Sequence, residues 1–492
     1  MGRAPLTESN TQPELAIDQR LQPEHVFGIV ALGITIRFVF LLLAWNQTAF
    51  ADESQYLYLA AVWSRFGVYT DSTMYLWPPG YPCFLYGCLK LFGPAGVYAA
   101  KLIQVVLSGA IGLSTILIAY RLATARAACL AGLMWAVYLP LIGFTHSLWP
   151  ETLYLALLMP GFCLLLPFFG QEAGKGGRKN ERSNARLVAA GVLIGLSILV
   201  KEVALWWFVL VGMLLLFQRR QRSWSVALNR ASLFLLAGAV VILPWALRCY
   251  EVYGRIVPSG ATLGRNVHLG INSKYWNVDY PLPDSARITE ANADVHRLLT
   301  ETAAQQWQTS TARNVVALSS DNVRRGLRFA ADNPGYFARS RIKNLADWAT
   351  PLSFFVRNFA LARYDGILRN PVAWRVLVVA AMLMPMTVLA ASAGGYFHAL
   401  RGVAGRGFLG VTLLYFIAAN VLIVASSRYR LCIAPLLIVL AATFLAGGFR
   451  RRWTKRGIAA CTVVWGTLVI LWLINALEIR EMIRVIQERC TA

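Results

Sequence analysis

The chain alternates between long apolar runs and short polar segments rich in arginine and lysine. Eleven runs approach or reach the ~17–25 residues that a helix needs to cross a bilayer: 24–46, 96–120, 126–144, 150–168, 186–200, 202–218, 230–247, 373–392, 408–425, 431–449 and 457–477. Only Lys201-Glu202 separates the fifth from the sixth, so one long buried helix is the alternative there. The stretch Tyr81 to Phe92 is too short to span and is expected to lie as a helix near the interface. The first twenty-odd residues are polar, and no small-residue cleavage site follows the first run, which reads as a retained helix. The pattern predicts an all-α polytopic membrane protein.

The polar segments divide the chain. Residues 1–23 form an N-terminal tail and 24–247 a transmembrane module whose first long loop covers 47–95. Residues 248–372 form the one segment large enough for a small, mostly helical subdomain; 373–477 hold the last helices and 478–492 a tail. Within 248–372, helical patterns run from Asp284 to Gln308 and from Asp321 to Trp348. Pro334 should divide the second into two helices. Trp348, Pro351, Phe354 and Phe355 then return the chain to the interface, where tryptophan is favoured. The loop 169–186, rich in Gly, Lys, Arg and Asn, reads as a flexible connector. No internal repeat is evident.

Composition agrees with this reading. Of 492 residues, 57% are hydrophobic and 14% charged, against about 45–50% and about 25% in soluble domains. The formal net charge of +23 would suggest nucleic acid in a soluble protein. Here the basic residues cluster in short loops between apolar runs, so the charge reflects the positive-inside bias and attraction to anionic membrane lipids. Nucleic acid is not an expected partner. The loops assigned inside carry eighteen basic residues, from Arg121 and Arg126 to Arg450, Arg451, Arg452, Lys455 and Arg456. The short outside loops carry five: Arg65, Lys90, Lys201, Arg428 and Arg430. This places the N-terminus in the cytoplasm, with the first loop and 248–372 outside. The eight cysteines lie mostly inside apolar runs with no CxxC spacing, and read as small buried hydrophobes.

Candidate chemistry gathers in the outside loops. Asp52-Glu53 follows the first apolar run directly. Either carboxylate could act as a general base on an acceptor hydroxyl, hold a metal, or orient the acceptor; Asp52 would equally serve as a helix N-cap. Trp77-Pro78-Pro79-Gly80-Tyr81-Pro82 makes a stiff aromatic turn that could face a sugar ring or a lipid chain, or simply be a rigid turn. His146, Trp149, Pro150 and Glu151 fall at the same membrane face. An ionisable group there is a functional candidate, although Glu151 could just stabilise its own helix start. Lys201 and Glu202 could pair with each other, or Lys201 could face the outer cavity. Arg428 and Arg430, in Ser426-Ser427-Arg428-Tyr429-Arg430, run against the positive-inside rule, and a lipid-linked phosphate would compensate them. Snorkelling to headgroups is the alternative. Arg248, Arg255 and Arg265 are looser phosphate candidates. No glycine-rich phosphate loop, HExxH or Ser-His-Asp arrangement is present, so no nucleotide, metal or other cofactor is implied, although a carboxylate pair leaves a divalent metal open.

Taken in order, these features resemble the GT-C glycosyltransferases, in the glycosyltransferase family 39-like branch of protein O-mannosyltransferases and aminoarabinose transferases. The match comprises Asp52-Glu53 with Tyr56, then Pro78-Pro79-Gly80-Tyr81-Pro82, Leu243-Pro244-Trp245-Ala246-Leu247-Arg248 with Gly254-Arg255, and Gly270-Ile271-Asn272. Asn333-Pro334-Gly335-Tyr336-Phe337 with Lys343 and Trp348 follows, then Arg428-Tyr429-Arg430 before Pro435. It covers most of 24–449 and lies in the order of the motifs rather than in any one of them. The resemblance implies a GT-C membrane fold with interfacial helices in the first outside loop. It implies transfer of a sugar from a polyprenyl-phosphate donor to a glycan, lipid or protein acceptor on the outer face of a bacterial inner membrane. It places the base at Asp52, beside Glu53, and the donor phosphate at Arg428 or Arg430, with Lys201, Arg248 and Arg265 as further candidates. Tyr56, Trp77, Tyr81, His146, Glu151 and Asn272 would line the substrate and acceptor site. A β-linked donor would be transferred with inversion. The aminoarabinose branch carries Glu-Lys where this chain has Leu76-Trp77, which speaks against transfer of aminoarabinose to lipid A.

Three other readings share much of this pattern. A transporter or flippase of lipid-linked sugars would need the basic cavity but no base, and would favour inverted repeats, which are not seen. A non-catalytic assembly subunit would tolerate any residue at Asp52. A GT-C-type ligase would join a preformed glycan to a lipid.

Overall fold

Away from water a single apolar run of spanning length satisfies its backbone hydrogen bonds within itself only as a helix, and the computed structural model is built of helices. It describes residues 20–45, 47, 49–67, 69, 76–170, 179–217, 223–271 and 310–491, and among these no strand occurs. The first run forms α1 (Pro23–Leu43), entered through Pro23, which has no N–H to leave unsatisfied in a first turn. Two helices of the first loop follow, α2 (Asp52–Phe66) and α3 (Gly80–Phe92). Next come α4 (Gly96–Leu122), α5 (Ala125–Val137), the short α6 (Leu139–Ile142), α7 (Glu151–Leu165), α8 (Lys179–Val200), α9 (Leu205–Phe217) and α10 (Trp224–Tyr253).

In 248–372 the described helices are α11 (Leu263–Ile271), α12 (Ser310–Asp332), α13 (Pro334–Ala349) and α14 (Phe354–Ala360). The break expected at Pro334 is present. The expected helix Asp284 to Gln308 lies outside the described residues. The last part comprises α15 (Pro371–Gly394), α16 (Arg406–Leu422), α17 (Ala434–Leu445), α18 (Lys455–Ile474) and α19 (Ala476–Thr491).

Among the described residues, seven segments are long and apolar enough to cross a membrane: Pro23–Leu43, Gly80–Leu122, Glu151–Phe169, Ser183–Val200, Trp224–Tyr253, Pro371–Ala399 and Lys455–Ile474. The expected runs 126–144, 202–218, 408–425 and 431–449 coincide with shorter apolar helices. Two of these shorten for visible reasons. After α5, Tyr138 turns extended and Pro140 opens the separate turn α6. Before α17, residues Tyr429–Ile433 wind as a tighter 3-10 turn, and Pro435 sits in the first turn of the α-helix. The alternative of one long helix over 186–218 is overturned: Lys201 takes an extended conformation (φ −152°, ψ 114°) and ends α8.

α4 is the central post, packed against α1, α3, α5, α7 and α17. Close approach depends on two glycines. A Cβ at Gly33 or Gly112 would stand 2.2 or 2.4 Å from the Trp135 ring, so α1 and α4 close on that indole from two sides. Arg37, fully buried in α1, stacks on the same ring at 4.2 Å and donates to the carbonyls of Trp135 and Ala136. Buried cations also tie the loops to the bundle: Arg341 donates to Val421 O (3.1 Å), and Arg430 to Trp348 O (2.8 Å) and Thr350 O (2.9 Å).

Candidate active site

Asp52 and Glu53 open α2, entered through Ala51 at φ 53°. That is a left-handed backbone an alanine adopts only at a cost of about 1–3 kcal/mol. Adjacent side chains on a helix diverge by about 100°, and the two carboxylates part company. Asp52 stays about 30% exposed and meets Arg428, its Oδ2 lying 2.9 Å from Nη1. Glu53 turns inward, 2% exposed, onto Arg363, with Oε2 at 2.8 Å from Nη2 and Oε1 at 3.3 Å from Nη1.

Arg428 joins loops that are far apart in sequence. Its Nε donates to Glu151 Oε1 at 2.5 Å, and its guanidinium lies 3.9 Å above the Trp149 ring. Lys201, released from α8 by the break described above, donates to the same Glu151 oxygen at 2.8 Å. Two carboxylates, Asp52 and Glu151, thus meet two cations, Arg428 and Lys201. Burial opposes the charge on Arg428, but Glu151 and Asp52 outweigh it and raise its pKa well above the usual value. Glu151 is buried at the first position of α7, where the helix N-terminus also favours a negative charge. Its Oε2 has no hydrogen-bond partner. The contact between Asp52 and Arg428 puts the loop after α1 and the loop before α17 at one end of the bundle.

An aromatic wall stands beside the cluster. Tyr56 packs against Trp77 (4.8 Å) and Tyr81 (5.2 Å). Trp77 Nε1 donates to Gln55 at 3.0 Å, and Tyr81 OH donates to Gln104 at 2.8 Å. Burial first, then the nearby Asp52, raises the Tyr56 pKa, so it stays a neutral phenol.

Other candidates from the sequence sit elsewhere. Arg430 is 2% exposed and its Nη1 donates to both carbonyls named above, with no bond to the carboxylates of the cluster. Arg248 stacks with Tyr69 and Trp245 and donates to Tyr69 O at 3.0 Å. Arg255 donates to Ser320. Lys201 and Glu202 do not pair with each other: Glu202 accepts from Thr262. His146 is buried behind the site, its Nε2 3.1 Å from Tyr364 OH. Burial, Lys101 and Arg363 lower its pKa to about 3, so it is a neutral imidazole. The Arg265 side chain and Asn272 lie outside the described residues. Among the described residues no three His, Cys, Asp or Glu side chains converge as a metal site.

Sequence reasoning missed Arg363 and Lys101. Lys101 donates to Gln47 O at 3.1 Å from within α4. A lone lysine inside the run 96–120 was the available signal. Arg363 carried none, because its position beside Glu53 depends on how the last third of the chain folds back.

Solved structures share this fold. The archaeal oligosaccharyltransferase AglB from Archaeoglobus fulgidus, in complex with an inhibitory peptide and dolichol-phosphate, superposes at TM-score 0.50 and 14% identity over 91% of this chain. The oligosaccharyltransferase of the same organism tethered to an acceptor peptide superposes at TM-score 0.51 and 13% identity over 96% of this chain. In both cases this chain spans about 55% of the length of the structure it matches. ArnT from Cupriavidus metallidurans bound to undecaprenyl phosphate aligns at TM-score 0.37 and 15% identity, covering 86% of this chain and 77% of its own, and adds nothing to the fold assignment. The chain therefore shares the fold of these two oligosaccharyltransferase structures. No protein-family model and no curated protein matches the sequence.

Proposed function

We propose that this GT-C-fold chain is an integral-membrane glycosyltransferase. It would move a sugar from a polyprenyl-phosphate donor to a glycan, lipid or protein acceptor. The observation that carries this reading is the Asp52–Arg428–Glu151–Lys201 cluster, which joins a solvent-reached carboxylate to two anchored cations at one end of the bundle. In the reaction, the bond between the anomeric carbon and the phosphate oxygen breaks while the acceptor oxygen bonds to that carbon. Asp52 takes the acceptor proton as general base. The leaving phosphate keeps the electron pair of the broken bond, and Arg428 and Lys201 meet its charge. Glu151 holds both cations in place. A β-linked donor attacked from the opposite face inverts.

The eleven apolar helices, the cytoplasmic N-terminus and an extracytoplasmic site belong to the same proposal, and the loop charges support them. An outer site meets no nucleotide donor, which is why a lipid-linked sugar fits. The neighbours named above contain dolichol-phosphate and acceptor peptides, and ligands of that kind suit this reading. The test is transfer of labelled sugar from synthetic polyprenyl-phosphate donors by the purified protein. Transfer lost in the Asp52→Asn protein supports the proposal. Donor movement across vesicle membranes without any transfer product would replace it with the flippase reading.

A further inference from the structure

Two alanines are the only non-glycine residues with positive φ among the described residues: Ala51 at 53° and Ala362 at 51°. One directly precedes Asp52-Glu53 and the other directly precedes Arg363. The Glu53–Arg363 ion pair therefore joins two strained turns that lie 310 residues apart in sequence. Backbone strain of this kind persists only where the surroundings over-determine it.

The surroundings are specific on both sides. Glu53 Oε2 also accepts from the Phe50 backbone N–H at 3.1 Å, closing the turn that carries Ala51. Arg363 Nη1 also donates to Asn358 Oδ1 at 3.2 Å. The Arg363 backbone N–H donates to Asn358 O at 3.0 Å, closing the turn that carries Ala362. Asn358 Nδ2 continues to Tyr364 OH at 3.3 Å, and that hydroxyl to His146 at 3.1 Å. The pair is bidentate, with side chains 3% and 2% exposed, so no substrate reaches it.

We infer that the Glu53–Arg363 pair is a clamp that fixes the first turn of α2 and thereby the direction of the Asp52 carboxylate, which makes Glu53 a positioning residue and not a second base. The geometry requires this division of labour. A helix turn whose second side chain is pinned inward holds its first side chain outward, toward Arg428. The inference rests on the reading of Asp52 as the base.

The test is a double-mutant cycle in the full-length protein, with kcat and donor KM measured for each variant. Glu53→Gln keeps an acceptor for Phe50 and loses the charge that holds Arg363. It should lower kcat about tenfold or more while donor KM stays within about twofold. In the Asp52→Asn background the same change should alter the residual turnover less than twofold, because no base remains to be positioned. Arg363→Lys keeps the charge and loses the fork, and should reproduce this pattern; it carries the cycle alone if Glu53→Gln fails to fold. Equal fold losses in both backgrounds would overturn the clamp, since Glu53 would then act on its own or through the fold at large. Unchanged kcat in both single variants would overturn it too. Near-normal turnover of Asp52→Asn alone would remove the base reading instead, and is read separately.

Discussion

Arg428→Lys isolates what bridging contributes, because it conserves charge. The guanidinium uses two different nitrogens, Nη1 toward Asp52 at 2.9 Å and Nε toward Glu151 at 2.5 Å. One ammonium on a flexible stem cannot stand at both positions. Lysine would settle on buried Glu151 or on Asp52 and leave the other carboxylate without its donor. One charge-assisted hydrogen bond is lost, at about 1.5–3 kcal/mol. Part of the stacking on Trp149 goes with it, at about 0.5–1 kcal/mol. The sum of about 2–4 kcal/mol corresponds to roughly a 30- to 1,000-fold fall in kcat/KM if all of it is expressed in the transition state. Arg428 is 16% exposed and Asp52 30%, so solvent screening puts the expected loss at the lower end, about 30-fold. The assay is the initial rate of label transfer over a range of donor concentrations, with a melting curve to confirm folding. A folded Arg428→Lys protein within about threefold of wild-type kcat/KM would refute the bridging argument. Arg428 would then be a point charge that any cation replaces.

The remaining expectations concern the base, the buried histidine and the topology. Asp52→Asn keeps the shape of the side chain and removes the base, so turnover should fall by ~10²–10⁴; a folded variant with near-normal turnover refutes the assignment. His146 has its pKa lowered from 6.5 to about 3, so the unfolded chain binds the extra proton between those values and stability falls as pH drops below about 6.5. At pH 5 the cost is about 2 kcal/mol, from ~1.36 kcal/mol per pH unit. His146→Gln should flatten the fall in melting temperature between about pH 6.5 and 5, and an unaltered slope would contradict the neutral-imidazole assignment. In a cysteine-free background, cysteines at Arg65 and Ser426 should react with an impermeant thiol reagent in intact cells, and one at Ser223 should not. Labelling of Arg65→Cys without Ser426→Cys would contradict the contact of their two loops at one end of the bundle.

The sequence by itself determined the all-helical membrane class of the fold and singled out the first carboxylate of the candidate site. A long apolar run can satisfy its own backbone away from water only as a helix, so the helix positions follow from the pattern of apolar and polar residues along the chain. The break at Pro334 follows from a missing N–H, and Asp52 was marked by its place at the end of the first run. Length was less legible: α5 and α17 are shorter than their runs because proline and extended residues end a helix where hydropathy continues. Charge partners were not legible. Lys201 and Glu202 are adjacent in sequence yet bond to Glu151 and Thr262, because one extended residue at the end of α8 sends their side chains to different neighbours. Arg428 and Arg430 looked equivalent, but in the tight turn before α17 one faces two carboxylates and the other faces backbone carbonyls. The pairing of Glu53 with Arg363 had no local signal at all. An ion pair is set by where two turns meet in space, and only the packing of the last third of the chain against the first loop brings those turns together.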